Sequence, residues 1–171
     1  MKIRKAKIED ARKIAEINVE TWQNAYKGLI DDAILEARKV DGKRISDWEK
    51  NIQNPAVTVL VCEDEEITGY LCAGPARDDF GIENEIYALY VHPTAQRKGY
   101  GSELIKKYKQ IIKYRPFYLY MLKNNQKAAD FYVKNGGRLC EKLARDLTVY
   151  HGIIAEECYV FEEKRIPKSV E

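Results

Sequence analysis

The chain has 171 residues, which is the length of one ordinary domain with a proper hydrophobic core. Its 45% hydrophobic and 33% charged residues are typical of a soluble globular protein. The 29 Lys and Arg residues nearly balance 27 Asp and Glu residues, so the net charge gives no reason to expect a nucleic-acid or membrane partner.

The beginning of the chain and its cysteines bear on where the protein works. Residues 1–10 are charged and lack the apolar segment of a signal peptide, and no apolar run approaches the roughly 20 residues that cross a bilayer. The four cysteines stand singly in strand-like segments, without a CxxC pair, and there are only two histidines. This pattern predicts neither a disulfide framework nor a metal site. The expected location is therefore the reducing cytoplasm.

Hydrophobic periodicity predicts that a short strand and two helices open the chain. A strand over 2–7 precedes a helix that is capped at Asp10, has apolar residues every three or four positions and stops at Gly28. A second helical stretch starts near 31–32 and ends before Asn54 and Pro55.

The rest of the chain alternates between strands and helices. Two β-branched runs form a hairpin around the acidic residues 63–66, and an amphipathic helix follows Gly99. Another helix is capped at 124–125 and ends at 135–137. The predicted strands of this part lie at 57–62, 67–76, 82–91, 117–122, 138–147 and 153–161.

These elements predict the fold class and the domain organisation. The order β-α-α-β-β-β-α-β-α-β-β indicates a mixed α/β domain built on one sheet, with about seven strands and about four helices. The absence of repeats and linkers predicts a single domain over 1–171, with a frayed tail at 162–171.

The most informative segment is residues 96–101, which read QRKGYG between a predicted strand and the amphipathic helix. Gly99 and Gly101 allow a tight turn whose amides approach a ligand closely. The helix start adds unpaired N–H groups and a partial positive charge, and Arg97 and Lys98 add full charges. This arrangement favours a phosphate or pyrophosphate site. A plain tight turn has the same residues, and the spacing is not that of a dinucleotide fold or a nucleotide P-loop.

Two segments resemble the acetyl-CoA motifs of the GNAT acetyltransferase superfamily. Residues 85–93, EIYALYVHP, lead into QRKGYG and match the family's [QR]-x-x-G-x-[GA] signature after a strand ending in a V-x-P-like phrase. Residues 125–137 resemble its N-x-x-A-x-x-F-Y-x-K-x-G-F block, with Gly137-Arg138 where many members have Gly-Phe. Because the order of predicted elements also agrees over nearly the whole chain, the sequence is identified as a member of this superfamily with its acyl-CoA N-acyltransferase fold.

The resemblance implies that acetyl-CoA donates an acetyl group to an amine by direct transfer in a ternary complex. The amides of the glycine-rich loop are implied to hold the pyrophosphate, the main chain of the preceding strand to pair with the pantetheine arm, and Asn125 to contact that arm. Core packing of the strand and helix capping by Asn125 are the ordinary structural alternatives. The implied coenzyme-binding residues are Leu89, Tyr90, Val91, Gln96, Arg97, Lys98, Gly99, Tyr100, Gly101, Ser102 and Asn125.

The resemblance also implies two catalytic residues. Tyr132 matches the family's general acid, which protonates the departing thiolate. The base must remove a proton from the protonated amine, whose pKa is near 10. This deprotonation costs about 4 kcal/mol at pH 7. Glu85, at the start of the coenzyme-binding strand, is the candidate base. Glu83 and a water chain are the alternatives, and a solvated carboxylate at a strand end is the plain structural interpretation.

The acceptor side is expected in the first two helices and the loop that joins them. Trp22 and Tyr26, one turn apart, are candidates for one wall of an aromatic pocket, although helix-to-sheet packing is the favoured interpretation of Trp22. The acidic residues Asp78, Asp79, Glu83 and Glu85 favour a cationic acceptor. His92 is interpreted as a strand end, and His151 as a loop residue.

Three functions fit these observations. The main one is N-acetylation of a small molecule or peptide. The alternatives are a protein N-terminal acetyltransferase of the ribosomal-protein type and a non-catalytic acyl-CoA-binding regulatory module. No cysteine stands in an activating motif, so a covalent acetyl-enzyme is not expected. A homodimer is common in similar proteins, and no nucleic acid, membrane or metal is expected to take part.

Overall fold

The computed structural model describes residues 1–28, 30–149 and 152–162, and the side chains of all of these except 147–149 and 152–154. The described residues form five α-helices and eight strands. The helices are α1 (Ala11–Tyr26), α2 (Asp32–Ala37), α3 (Gly42–Gln53), α4 (Tyr100–Ile111) and α5 (Gln126–Lys134). The strands are β1 (Lys2–Lys5), β2 (Thr58–Glu63), β3 (Ile67–Pro75), β4 (Asn84–Val91), β5 (Phe117–Leu122), β6 (Gly137–Leu139), β7 (Arg145–Val149) and β8 (Gly152–Phe161).

All eight described strands belong to one mixed sheet in the order β1-β2-β3-β4-β5-β8-β6, with β7 also paired to β8. β4 and β5 run parallel, and each of the other strand pairs formed by the described residues is antiparallel. The parallel pair requires a crossover, and α4 supplies it. The predicted mixed α/β fold is therefore confirmed.

Apolar side chains fill both faces of the sheet. One core lies between the sheet and helices α4 and α5 and contains Leu104, Tyr108 and Phe117. A second core lies under α1 and α3 and includes Ile14 and Trp48. Alternating strand residues and the apolar stripes of the helices produce these two layers.

Three local features differ from the sequence prediction. The helical stretch after residue 31 is two helices, because the Asp41 side chain accepts a hydrogen bond from the Arg44 amide at 2.7 Å and starts α3 anew. The carboxylate of Asp10 binds the guanidinium of Arg4 and the Lys7 amide instead of capping α1. The predicted strand over 138–147 is interrupted by a 3-10 turn at Glu141–Leu143, so β6 and β7 pair with successive halves of β8.

Candidate functional site

The site begins where β4 and β5 separate. The two strands pair only over Asn84–Ile86 and Phe117–Leu119, although β4 continues to Val91 and β5 to Leu122. The carboxyl-terminal half of β4 therefore has one edge without a strand partner among the described residues. An extended ligand that enters this opening finds main-chain N–H and C=O groups arranged as for an added strand.

A β-bulge accounts for the separation. Ala73 of β3 stands opposite Ile86, but Cys72 stands opposite Ala88, so Tyr87 is an extra residue in β4. A bulge bends its strand and increases the local twist. The bend turns β4 away from β5 at the point where their pairing ends.

The glycine-rich loop follows β4 directly. Arg97 and Gly99 adopt positive φ angles of 63° and 89°, and Gly99 occupies the N-cap of α4 without a side-chain cap. Within the described structure, the amides of residues 97–102 donate to no protein acceptor, and the first helical bond runs from the Glu103 amide to the Gly99 carbonyl. Consecutive free amides at a helix start form an anion site, which suits a pyrophosphate.

Two contacts fix this loop relative to β4 and α5. The Gln96 side chain donates to the Val91 carbonyl at 3.0 Å, which ties the loop to the end of β4. Gly101 lies against the Phe131 ring, where a Cβ atom would come within 2.9 Å of a ring carbon. The second glycine therefore allows α4 to approach α5 closely.

This packing also positions Tyr132, the neighbour of Phe131. Its ring is buried against Tyr159 and Phe161, with ring centroids 5.9 and 6.3 Å away. Its hydroxyl makes no hydrogen bond with any described residue. Burial, with a smaller effect from nearby Tyr26, raises the pKa of Tyr132, so the phenol keeps its proton at neutral pH.

The other predicted coenzyme-binding residues lie around the opening. The side chains of Leu89 and Val91 pack toward the α4 and α5 core, whereas Tyr90 points to the opposite face. The side-chain oxygen (Oδ1) of Asn125 accepts from the Ala128 amide at 3.2 Å, so this residue caps α5. Leu89 and Val91 thus share one apolar cluster with Phe131 and Tyr132, and the structure supports the structural alternative for each side chain.

Glu85 is fully buried and completely hydrogen bonded. Its carboxylate accepts from the Arg77 amide, from the Arg77 Nε and Nη2 atoms and, at 3.2 Å, from the Tyr118 hydroxyl. Arg77 also stacks on the ring of Tyr87, 4.7 Å from its centroid. Glu85 is thus a paired internal carboxylate and not a solvated strand end.

A second polar cluster, here called the Arg145 cluster, lies on the same face of the sheet. Arg145 binds Asp78 at 3.1 Å and Glu156 at 2.8 Å, and its guanidinium lies 3.5 Å from the ring centroid of Tyr120. The Tyr120 hydroxyl donates to Asp78. This cluster links β5, β7 and β8 to the loop that precedes β4.

Three of the four acidic residues that favoured a cationic acceptor are paired with arginines. Glu83 is exposed and pairs with Arg115 at 3.0 Å, Glu85 pairs with Arg77, and Asp78 shares Arg145 with Glu156. The acidic sequence cluster is therefore interleaved with arginines that the sequence prediction did not take into account.

The predicted aromatic wall forms beside α2. The rings of Trp22 and Tyr26 are 4.9 Å apart, and both residues are half-buried and belong to none of the three apolar clusters of the described residues. Arg38 covers Trp22, with its guanidinium carbon 4.5 Å from the ring centroid. This packing departs from simple helix-to-sheet burial.

Sequence reasoning missed several residues of the site. Tyr118 and Tyr120 alternate with apolar residues along β5, and this period of two could have placed them on the face of Glu85. Arg38, Arg77 and Arg145 lie in loops or at strand ends, and no motif marks them. His92 binds Glu20 at 3.0 Å and Thr94 at 2.8 Å, whereas His151 lies outside the described residues.

The described part of the chain contains neither a candidate metal site nor a candidate membrane span. No group of three or more His, Cys, Asp or Glu side chains there is arranged to hold a metal ion. No described helix combines the length and apolar character needed to cross a bilayer.

Comparison with known proteins identifies relatives of this arrangement. Residues 12–137 match the family model described as "Acetyltransferase (GNAT) family". The uncharacterized N-acetyltransferase YuaI of Bacillus subtilis (strain 168) is 31% identical over 106 residues, which are 61% of this chain and 60% of that protein. The match thus spans less than two thirds of the relative's length.

Solved structures share the fold. The PaiA N-acetyltransferase of Thermoplasma acidophilum in complex with coenzyme A has a TM-score of 0.70 at 22% identity, covering 92% of this chain and 96% of that one. YncA of Salmonella typhimurium with its cofactor acetyl-CoA has a TM-score of 0.67 at 22% identity, covering 99% and 98%.

Proposed function

Because the chain belongs to the GNAT acetyltransferase family, we propose that it transfers an acetyl group from acetyl-CoA to the amine of a small molecule or peptide. One observation carries the proposal. The free amides of residues 97–102 directly follow the half of β4 that separates from β5. Coenzyme A has a diphosphate joined to an extended arm. The diphosphate matches the free amides, and the arm matches the open edge of β4.

Acetyl-CoA fits this place as a substrate. The loop from Gln96 to Ser102 would bind the pyrophosphate through amides, and Arg97 and Lys98, both exposed, would add charge. The main chain at Leu89 and Val91 would pair with the pantetheine arm. The presence of coenzyme A or acetyl-CoA in two neighbours of the same fold supports this binding mode.

Tyr132 is the proposed general acid. It lies beside Phe131, which contacts the glycine-rich loop, and its hydroxyl is not engaged by other described residues. Its raised pKa keeps the proton in place but makes full transfer to a free thiolate uphill. We therefore assign it a hydrogen bond to the sulfur that strengthens as negative charge develops there.

Glu85 remains the proposed base, and its contacts restrict how it acts. Both of its oxygens already accept hydrogen bonds, so direct contact with the amine would require Arg77 or Tyr118 to move. A relay through the Tyr118 hydroxyl, which already donates to Glu85, would leave the Arg77 bonds in place. Because Tyr118 is itself fully buried, water would have to connect its hydroxyl to the amine. Glu83, paired with Arg115 at the exposed edge, is the weaker candidate.

The function is tested by following free thiol released from acetyl-CoA in the presence of amino acids, polyamines, aminoglycosides and peptides. Acceptor-dependent release supports the proposal, and the acetylated product is identified by mass spectrometry. Tight binding of acetyl-CoA without turnover of any acceptor would instead support a regulatory module. Turnover confined to peptides that copy protein N-termini would support an N-terminal acetyltransferase.

Two further proposals concern the setting of the protein. All four cysteines are free, and three of them are buried, which supports the cytoplasmic location. A homodimer is proposed from the resemblance alone, and sedimentation analysis tests it.

A further inference from the structure

Arg38 has an incomplete set of partners. Its Nη2 atom donates to the Asn18 side-chain oxygen at 2.7 Å, and its guanidinium stacks on Trp22. Its Nε atom is enclosed and has no acceptor. The Thr21 hydroxyl, on the same helix as Asn18 and Trp22, is likewise enclosed and unpartnered, and no other side-chain nitrogen or oxygen of the described residues is in this state.

The other arginines of the acceptor side differ from Arg38. Arg77 has the carboxylate of Glu85, and Arg145 has those of Asp78 and Glu156. No described carboxylate forms an ion pair with Arg38. Burial, followed by the nearby positive charge of Arg44, lowers the pKa of Arg38, which is the direction expected for an uncompensated cation. Leaving such a charge without a counterion is costly in a protein interior.

Hydrogen bonds hold both the main chain and the side chain of Arg38 in place. Arg38 ends α2 in an extended conformation, and the Gln23 side chain donates to the carbonyls of Leu35 and Arg38, both at 2.9 Å. Asn18, which accepts from the guanidinium, donates in turn to the Tyr70 hydroxyl. The guanidinium is therefore held in place before any ligand binds, as in a preorganised binding group.

Arg38 is also linked to the proposed transfer site. Tyr26 interacts electrostatically with both Arg38 and Tyr132. Because Arg38 covers Trp22, whose ring centroid is 4.9 Å from that of Tyr26, the cation lies beside the aromatic wall.

We propose that Arg38 binds a carboxylate of the acceptor, so that the substrate is an amine that also carries a carboxylate, such as an amino acid. The Nε and Nη2 edge of a guanidinium matches the two oxygens of a carboxylate. Nε lacks a partner, and Nη2 carries a second N–H besides the one that binds Asn18, so the side chains that enclose Nε must shift to admit the carboxylate. This inference rests on the proposed function and names the substrate class of that site. It replaces the expectation of a purely cationic acceptor.

Matched acceptors test the inference. Amino acids are compared with their carboxamides and their decarboxylated amines, and kcat/KM is measured for each. We expect the carboxylate to raise kcat/KM about 10- to 100-fold, the range for a hydrogen bond to a charged group. Within the Arg38→Met variant, kcat/KM for an amino acid and for its carboxamide should become equal, so that the preference is lost. Arg38→Lys should keep part of the preference, because lysine keeps the positive charge but lacks the paired N–H donors of a guanidinium.

Lys39→Met is the control, since it removes one positive charge from the neighbouring exposed residue. It should keep the preference for the carboxylate. A preference that survives in Arg38→Met, or wild-type protein that uses the decarboxylated amines best, would overturn the inference and leave the acetyltransferase function intact.

A binding measurement separates failure of the inference from failure of the proposed function. Amino acids are titrated calorimetrically into the wild-type and Arg38→Met proteins in the presence of coenzyme A, without turnover. Binding that requires Arg38 supports the inference even if no acceptor is acetylated, whereas no binding, or equal binding by the two proteins, contradicts it. Absence of acetylation of every acceptor in wild-type protein contradicts the enzymatic function alone.

Discussion

Removing Arg77 isolates the cost of leaving the Glu85 carboxylate alone inside the sheet. The Glu85 side chain is 0% exposed, and Arg77→Met removes two of its four hydrogen bonds and its only described counter-charge. Breaking a buried ion pair by removing one partner costs about 3–5 kcal/mol. Because the Arg77 side chain is 56% exposed, water can partly replace it. We therefore expect a loss of about 2–4 kcal/mol in the free energy of unfolding.

The double variant Arg77→Met/Glu85→Met is the informative comparison. Replacing both partners of a buried pair by apolar side chains is often close to neutral. The double variant should therefore be more stable than Arg77→Met by about 2 kcal/mol, although it leaves the Tyr118 hydroxyl without its acceptor.

Urea unfolding followed by circular dichroism measures these differences. A loss of 2–4 kcal/mol corresponds to a fall in Tm of roughly 4–16 °C for a chain of this size. If Arg77→Met matches wild type within about 0.5 kcal/mol, or if the two substitutions add, the Glu85 charge is not held by Arg77 and the reasoning is refuted.

Three further predictions concern separate parts of the molecule. Tyr132→Phe should lower kcat about 100-fold, as for loss of a general acid. It should change coenzyme A affinity and stability little, because its hydroxyl has no described partner; kinetics and calorimetry check this. Gly99→Ala should weaken coenzyme A binding by straining a turn with φ of 89°, whereas Gly81→Ala, with φ of 74° and equally open surroundings, should lose only stability, about 1 kcal/mol. Burial raises the pKa of the Cys72 and Cys158 thiols to about 12, so native protein should resist alkylation of these thiols at pH 8. In the unfolded chain the same thiols lose their protons at lower pH than in the folded protein, so the free energy of unfolding should fall as the pH rises from about 9 toward 12.

The donor half of the site could be predicted from the sequence because main-chain groups build it. Gly99 and Gly101 stand two positions apart in the chain, and the turn and helix start they produce are local consequences of sequence. The strand before them and the Asn125 cap follow from equally local patterns. Positions that need a special backbone geometry can be recognised from the residue types that the sequence places there.

The acceptor half could not be predicted, because distant side chains build it. Arg145 meets Asp78 across 67 positions of sequence, and the Arg38 side chain meets Asn18 across 20. The Tyr87 bulge, which separates β4 from β5, is set by its register against β3 and not by its own residue type. An acidic cluster in the sequence therefore gave no sign of the distant arginines that pair with three of its members.

The contacts of Glu85 lead to a pH test of its role. If Glu85 accepts the amine proton through Tyr118, Glu85→Gln should lower kcat/KM strongly at pH 7 and progressively less as the pH approaches 10. Near pH 10 the amine, with a pKa of about 10, loses its proton without help. A group that only positions Arg77 and Tyr118 would lower the rate by the same factor at every pH.

Tyr118→Phe distinguishes the relay from direct contact. It removes the hydroxyl that donates to Glu85 but leaves all three Arg77 bonds to the carboxylate in place. If the relay operates, this variant should show the same pH-dependent deficit as Glu85→Gln. A Tyr118→Phe rate equal to wild type at pH 7, with Glu85→Gln still impaired there, would mean that the amine reaches the carboxylate directly after Arg77 moves. A Glu85→Gln rate equal to wild type at every pH would remove Glu85 from proton transfer, and its buried charge would then serve only to hold the bulged strand against β5.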